Sequence, residues 1–311
     1  MSRVEVVITG MGVVCPLGIG EQPVWDAIVA GQSGVRPITQ FDASGLPLSM
    51  IARVSDFDPK LYVQPRKSLK IMCYDMMYSV ATTRFAVDQA GIQEGDIEPE
   101  RMGVVFGADP ITPPTDNWKQ NFYGCRGDDG RILLGRWRAN MAESFPLGFL
   151  ATLPNMAACH ASISINARAH NNTINHGEVS SLMAVAEAAR VIERGWADVM
   201  VAGGTSSLLE PYDLSRYCAL EDVSSSNGSG GGTPRPFDAR RDGQVRGEGS
   251  AAFVLERRET AEARGATILA HLRGQGGGCD GRRRRRCLRR FRCEVRTFGR
   301  WAAGQTEPLE K

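Results

Sequence analysis

Residues 174–204 read INHGEVSSLMAVAEAARVIERGWADVMVAGG, and they hold the side chains best placed for chemistry. His176 and Glu178 stand just before a long helical pattern. An imidazole titrating near neutrality beside a carboxylate can do acid–base work. The same stretch also has a structural reading. Asn175-x-x-Glu178 has the form of a capping box, with Asn175 as the cap and Glu178 reaching back from the first turn. Both readings stand at this point. His160 falls in an earlier helical pattern and is expected to be a packed residue with its hydrogen bonds satisfied. Asp238, Arg241 and Asp242 in FDARRDG cluster beside a glycine and are expected to hold a loop. Gly203, Gly204, Gly247 and Gly249 read as turn and close-packing positions. The GEG at 247–249 lacks the Lys-Ser/Thr continuation of a phosphate loop. Cys279, Cys287 and Cys293 do not have zinc spacing, and no histidine follows them. These patterns imply no cofactor and no metal.

The elements that must position these groups alternate. Residues 4–9 form a β-rich run, as expected of a strand buried on both faces. Residues 76–90 have helical spacing, with Gly91 as a stop signal. Residues 102–106 read as a strand and 109–138 as an extended loop or insertion rich in Pro, Gly, Asp and Asn. Residues 149–167 read as helix. Residues 179–194 are predicted as a helix with Leu182, Val185, Ala186, Ala189 and Ile192 on one side, and 197–202 as a strand. The glycine- and serine-rich 224–232 reads as a flexible loop. Residues 251–256 then read as strand, 260–264 as a short helix and 266–272 as a last strand. Strand–helix alternation predicts an α/β fold with a largely parallel, layered sheet.

The chain has 311 residues, 42% hydrophobic and 23% charged, which are globular values with ample length for a core. No apolar run approaches the ~18 residues of a membrane span, and the start has no signal-peptide layout, so a cytoplasmic protein with no membrane association is expected. Eight cysteines are too few for a disulfide scaffold, and reduced thiols are expected. The net charge of +2 is unevenly spread. Residues 276–311 hold ten Arg and one Lys against four acids, a net of +7, which leaves −5 on residues 1–275.

Four segments in order carry a family resemblance: VVITGMGVVCPLG at 6–18, NMAACH at 155–160, ADVMVAGG at 197–204 and RPFDARRDGQVRGEGSAAFVLE at 235–256. Together they resemble the β-ketoacyl-acyl-carrier-protein synthases, especially the type II elongating condensing enzymes, over residues 4–274. The resemblance implies a thiolase-like layered fold of two similar α/β halves. The first half is expected to be complete here and the second missing. It implies the decarboxylative condensation of an acyl thioester with a malonyl-carrier protein, in fatty acid or polyketide synthesis.

The family nucleophile is a cysteine at the N-terminus of a buried helix, where backbone N–H groups and the helix dipole favour a thiolate. Counted back from ADVMVAGG, that position falls on Glu178, a comfortable anion there and a weak nucleophile. Relatives with glutamine at this position act as chain-length-factor subunits or decarboxylating domains. The family's two histidines, lysine and glycine-rich loop belong to the second half, and nothing after Gly278 matches them. The chain is therefore expected to be inactive as written, with two alternatives: a non-catalytic chain-length-factor-like partner of an active synthase, or a basic-tail binding protein.

The resemblance also implies an acyl carrier protein as partner, and a homodimer or a heterodimer with a full-length synthase. Pairing would run through residues 171–175, while Leu182, Val185, Ala189 and Ile192 would face the second half. Two regions are expected: a synthase N-terminal domain at 1–275 and an Arg-rich tail at 276–311, disordered or the product of a frame change. A nucleic-acid arm is the less favoured reading of that tail, because nothing else in the chain suggests nucleic acid.

Overall fold

The computed structural model describes residues 4–109, 111, 121–141, 147–224, 234–279 and 293–294. All of the expected loop at 224–232 except Ser224, and most of the Arg-rich tail, lie outside these residues. The elements are β1 (Val6–Cys15), β2 (Gly18–Ile19), α1 (Glu21–Val29), β3 (Val35–Pro37), β4 (Met50–Ala52), α2 (Tyr74–Gln89), β5 (Met102–Ala108), α3 (Trp137–Met141), α4 (Met156–Ser164), β6 (Asn171–Ile174), α5 (Ser180–Glu193), β7 (Val199–Ser206), α6 (Pro211–Leu220), β8 (Gly249–Arg257), α7 (Arg258–Ala263) and β9 (Ala270–Leu272). Two short strands, Gly278–Cys279 and Cys293–Glu294, pair with each other.

The main sheet runs β2-β1-β8-β7-β5-β6, with β9 also on β1. β7 and β6 flank β5 in parallel, but β8 runs antiparallel to both β1 and β7. The sheet is therefore mixed, not the largely parallel one that alternation predicts. The missed reversal is a property of the chain path between Leu220 and Gly249, on which strand periodicity carries no information.

Both faces of the sheet are covered. Val104, Phe106, Val199, Val201 and Val254 pack with Ala86, Val87 and Ala158 of α2 and α4 on one side. Val105, Met200, Ala202 and Leu255 pack with Ala184, Ala188 and Ile192 of α5 on the other. Side chains alternate between sheet faces, so a strand covered on both sides reads as one continuous apolar run. This is the α/β layered, thiolase-like architecture expected.

The stripe of α5 that meets the sheet differs from expectation. Ala184, Ala188 and Ile192 recur at every fourth position, and the two alanines let the helix come close. Ala189 and Ile192, expected to face a second half, are buried against this chain's own sheet. Leu182 does face outward at 40% exposed, and Val185 is half-buried. The helix expected at 149–167 is two pieces, a 3-10 turn at Gly148–Thr152 and α4.

Candidate active-site cleft

A cleft of about 440 Å³ opens where β5 and β7 end and α5 begins, bounded by the end of β1 and the start of β8. Cys15, Asp109, Glu178, Leu182, Val185 and Phe253 line it, so it is mainly apolar with two carboxylates on its edge. Two glycines bring the start of α5 down onto the sheet. A Cβ at Gly107 would lie 2.4 Å from the Ser180 carbonyl carbon and the Ser181 nitrogen, and one at Gly204 would lie 2.5 Å from Ser181 Cβ. Gly203 and Gly249 also lie against neighbouring backbone, as their close-packing reading anticipates.

The capping box is not formed. α5 starts at Ser180, its N-cap is Val179, and no side chain caps it there. Ser180 instead organises the turn: its hydroxyl accepts the His176 amide at 2.7 Å and donates to the Gly177 carbonyl at 2.6 Å. The N-cap falls at Val179, four residues past the Asn175 that the box requires, so Glu178 precedes the helix and is exposed. His176 is also exposed, and among the described residues the two side chains make no hydrogen bond with each other. The structure thus brings Glu178 to the cleft without making His176 its partner.

Polar groups gather behind Glu178. Arg246 stands 3.7 Å from Asp109 and lies over the Tyr217 ring, 5.2 Å from its centroid. The Tyr217 hydroxyl donates to Gln244 at 3.2 Å. Burial pushes the Tyr217 phenol up, and the nearby Glu178 carboxylate adds to that shift. Under the cleft, Glu248 of the GEG stretch is a hub. It accepts the Val54 amide at 2.9 Å, the Tyr78 hydroxyl at 3.2 Å and the Ser207 hydroxyl at 2.7 Å. Sequence reading passed over Glu248 once the phosphate-loop pattern failed. An acid between two glycines at the head of an apolar strand was the signal available.

The other candidates lie apart. His160 is buried on α4, as expected, but its Nε2 has no hydrogen-bond partner, so it is packed rather than satisfied, and burial lowers its pKa. Among the described residues no histidine lines the cleft. Cys73 and Cys125 are buried, while Cys15, Cys159 and Cys218 are half-buried and all five are free. Burial, with Asp75 nearby, pushes the Cys73 thiol up to about 12, which keeps it inert.

Asp238 holds its loop through Arg240, at 3.1 Å, and Asp242 accepts the Ser224 hydroxyl, as the loop reading anticipates. A larger hollow of about 990 Å³ runs along 234–245, lined by Pro234, Pro236 and Phe237 with Arg235, Arg241 and Asp242. Its described lining offers no thiol, hydroxyl or imidazole, so the smaller cleft is the better candidate. Among the described residues no three His, Cys, Asp or Glu side chains could hold a metal, and no helix is long and apolar enough to cross a membrane.

A doubly covered α/β layer with a cleft at a helix N-terminus agrees with the thiolase-like layered fold that the resemblance implies. The chain belongs to the β-ketoacyl synthase family, matching its N-terminal domain over residues 3–261. It is 34% identical over 280 residues to a 3-oxoacyl-(acyl-carrier-protein) synthase 2 of Coxiella burnetii, covering 90% of this chain and 64% of the relative. It is 31% identical over 285 residues to the enzyme of that name from Vibrio cholerae. Among solved structures it resembles the AntDE:AntF complex of a type II polyketide-synthase acyl-carrier protein with its ketosynthase, at 25% identity and a TM-score of 0.74 over 90% of this chain and 64% of that one. It also resembles the ishigamide ketosynthase/chain length factor, at 26% identity and a TM-score of 0.72. The chain spans about 64% of the length of the Coxiella relative.

Proposed function

We propose that this chain is a β-ketoacyl-acyl-carrier-protein synthase-like protein of fatty acid or polyketide synthesis in which Glu178 occupies the nucleophile position without acting as a nucleophile. The family reaction is the decarboxylative condensation of an acyl thioester with a malonyl-carrier protein, and the chain by itself does not perform it. One observation carries this reading: the side chain presented to the cleft where α5 begins is an exposed carboxylate. A carboxylate is a weak nucleophile compared with a thiolate. The same charge, with Asp109 close by on the cleft, repels the carboxylate of a malonyl group.

The partner in this proposal is an acyl carrier protein, and the assembly is a homodimer or a heterodimer with a full-length synthase. The related ketosynthase bound to its carrier protein supports the first element. The ketosynthase/chain length factor relative supports the second reading, a non-catalytic subunit beside an active synthase. β6 lies at the end of the main sheet, so its outer edge is available for main-chain pairing, while Asn171 and Asn172 are exposed and contribute little apolar burial.

Intact-mass spectrometry of the wild-type chain and Glu178→Cys, each incubated with acyl-carrier protein and malonyl-carrier protein, tests the proposal. The wild type should gain no acyl group and release no β-ketoacyl product. The variant should take up acyl groups at residue 178 but still make no product. Condensed product from the wild-type chain alone would overturn the reading of Glu178.

A further inference from the structure

Three carboxyl groups come together at the cleft: Asp109, which lines it just past β5, Asp75 in the first turn of α2 and Glu248 just before β8. Consecutive residues at the end of β7 bond to all three residues, at the main chain of Asp75 and at the carboxylates of Asp109 and Glu248. Thr205 donates its hydroxyl to the Asp75 carbonyl at 2.9 Å, Ser206 donates to Asp109 at 3.2 Å, and Ser207 donates to Glu248 at 2.7 Å. Two guanidinium groups face this cluster, Arg246 at 3.7 Å from Asp109 and Arg53 at 3.8 Å from Glu248. Neither pairs with Asp75.

Asp75 is 2% exposed. Its Oδ2 has the Cys73 thiol at 3.7 Å, and its Oδ1 has no hydrogen-bond partner. The Tyr78 phenol, a further titratable neighbour, is committed to Glu248. Two influences compete over the Asp75 proton. Its own amide and that of Ser207 favour the anion, whereas burial, Asp109 and Glu248 favour the acid. Burial is the largest of these, and the carboxyl is pushed up to about 7.

We propose that Asp75 keeps its proton in the folded protein and serves as a neutral clamp between the start of α2 and the end of β7, and that losing the proton to solvent loosens the floor of the cleft. Ionisation sets three carboxylates against two guanidinium groups, with Asp75 and Glu248 themselves shut off from water. The element is thus a pH-sensitive support for the strand end that carries Thr205 and Ser206 into the cleft. It stands on the cluster alone and not on the role proposed for Glu178.

The sign follows from linkage. Unfolded, Asp75 titrates near the ordinary ~3.9, and folded its value is raised. Between the two, the folded chain holds a proton that the unfolded chain has released. Stability is therefore fully present below the unfolded value, falls as pH rises, and levels off above the folded value of about 7.

Urea unfolding of the full chain, wild type against Asp75→Asn from pH 4.5 to 8.5, reads this directly. The ratio of wild-type to variant folding constants should fall roughly tenfold per pH unit inside that window and then flatten. Hydrogen exchange should show protection of the Ser206 and Ser207 amides, relative to an unstructured peptide at the same pH, dropping from pH 6 to 8.5 in the wild type only. A pH-independent ratio, or unchanged protection in the wild type, would overturn the proposal. Should Asp75→Asn not fold, infrared titration of the wild type decides. A buried protonated-carboxyl band at pH 5.5 that disappears by pH 8.5 supports the clamp, and its absence at pH 5.5 overturns it.

Discussion

The His176 amide donates to the Ser180 hydroxyl at 2.7 Å, and this bond, not one from Glu178, fastens the turn to the head of α5. Ser180 is buried and Glu178 is exposed. Ser180→Ala removes both the acceptor for His176 and the donor to Gly177 and should cost about 1 kcal/mol. Glu178→Ala should change stability by no more than about 0.5 kcal/mol. Urea melts of the two variants check the contrast, and an equal loss in both would restore Glu178 as the cap.

The seat of α5 depends on the absence of side chains beneath it. Gly107→Ala places a methyl 2.4 Å from the backbone of Ser180 and Ser181, which only movement of the helix start can relieve. A loss of about 1–3 kcal/mol is expected, the usual range for overpacking. Gly45→Ala, where a Cβ meets nothing within 4 Å, is the control and should be near neutral. Thermal melts of both variants suffice.

Glu256 is fully buried, and Arg264 holds it with two bonds of 2.6 and 2.8 Å, while Thr9 also donates to it. Arg264→Ala strands a buried carboxylate and should cost about 3–5 kcal/mol. Adding Glu256→Gln to that variant removes the stranded charge and should recover part of the loss. If the double variant is no more stable than the single one in urea, the charge is not the cause.

Hydrogen bonds from Arg101, at 2.7 and 2.9 Å, hold the Asp198 carboxyl below its ordinary range. A depressed carboxyl contributes stability that is present above its unfolded value near ~3.9 and is lost as pH falls through the folded one. Asp198→Asn should therefore cost a constant amount above about pH 5 and progressively less below pH 4. Because both side chains are about one-third exposed, that amount should stay within about 1 kcal/mol. Melting temperatures from pH 2.5 to 6 give the comparison, and a gap that does not narrow in acid would count against the pairing.

Local pattern was enough to read the alternation of strands and helices, the apolar runs of β5, β7 and β8, and the length of α5. A doubly covered strand and an amphipathic helix each print their burial on a few consecutive residues. That Glu178 stands just ahead of α5 was also legible, and the structure sets it on the cleft. α6 escaped notice, since it buries only Asp213, Leu214 and Tyr217. The reversed strand β8, the late start of α5 and the face it buries were settled by packing, where Gly107, Gly204, Ala184 and Ala188 allow close approach. The convergence of Asp75, Asp109 and Glu248 at the cleft likewise belongs to the folded chain. Each is unremarkable in its own segment, and only the packing of α2 on the sheet of β5, β7 and β8 brings the three acids together, two of them beside arginines. Charge interactions depend on distance in space, and residues far apart in sequence leave no periodic trace of it.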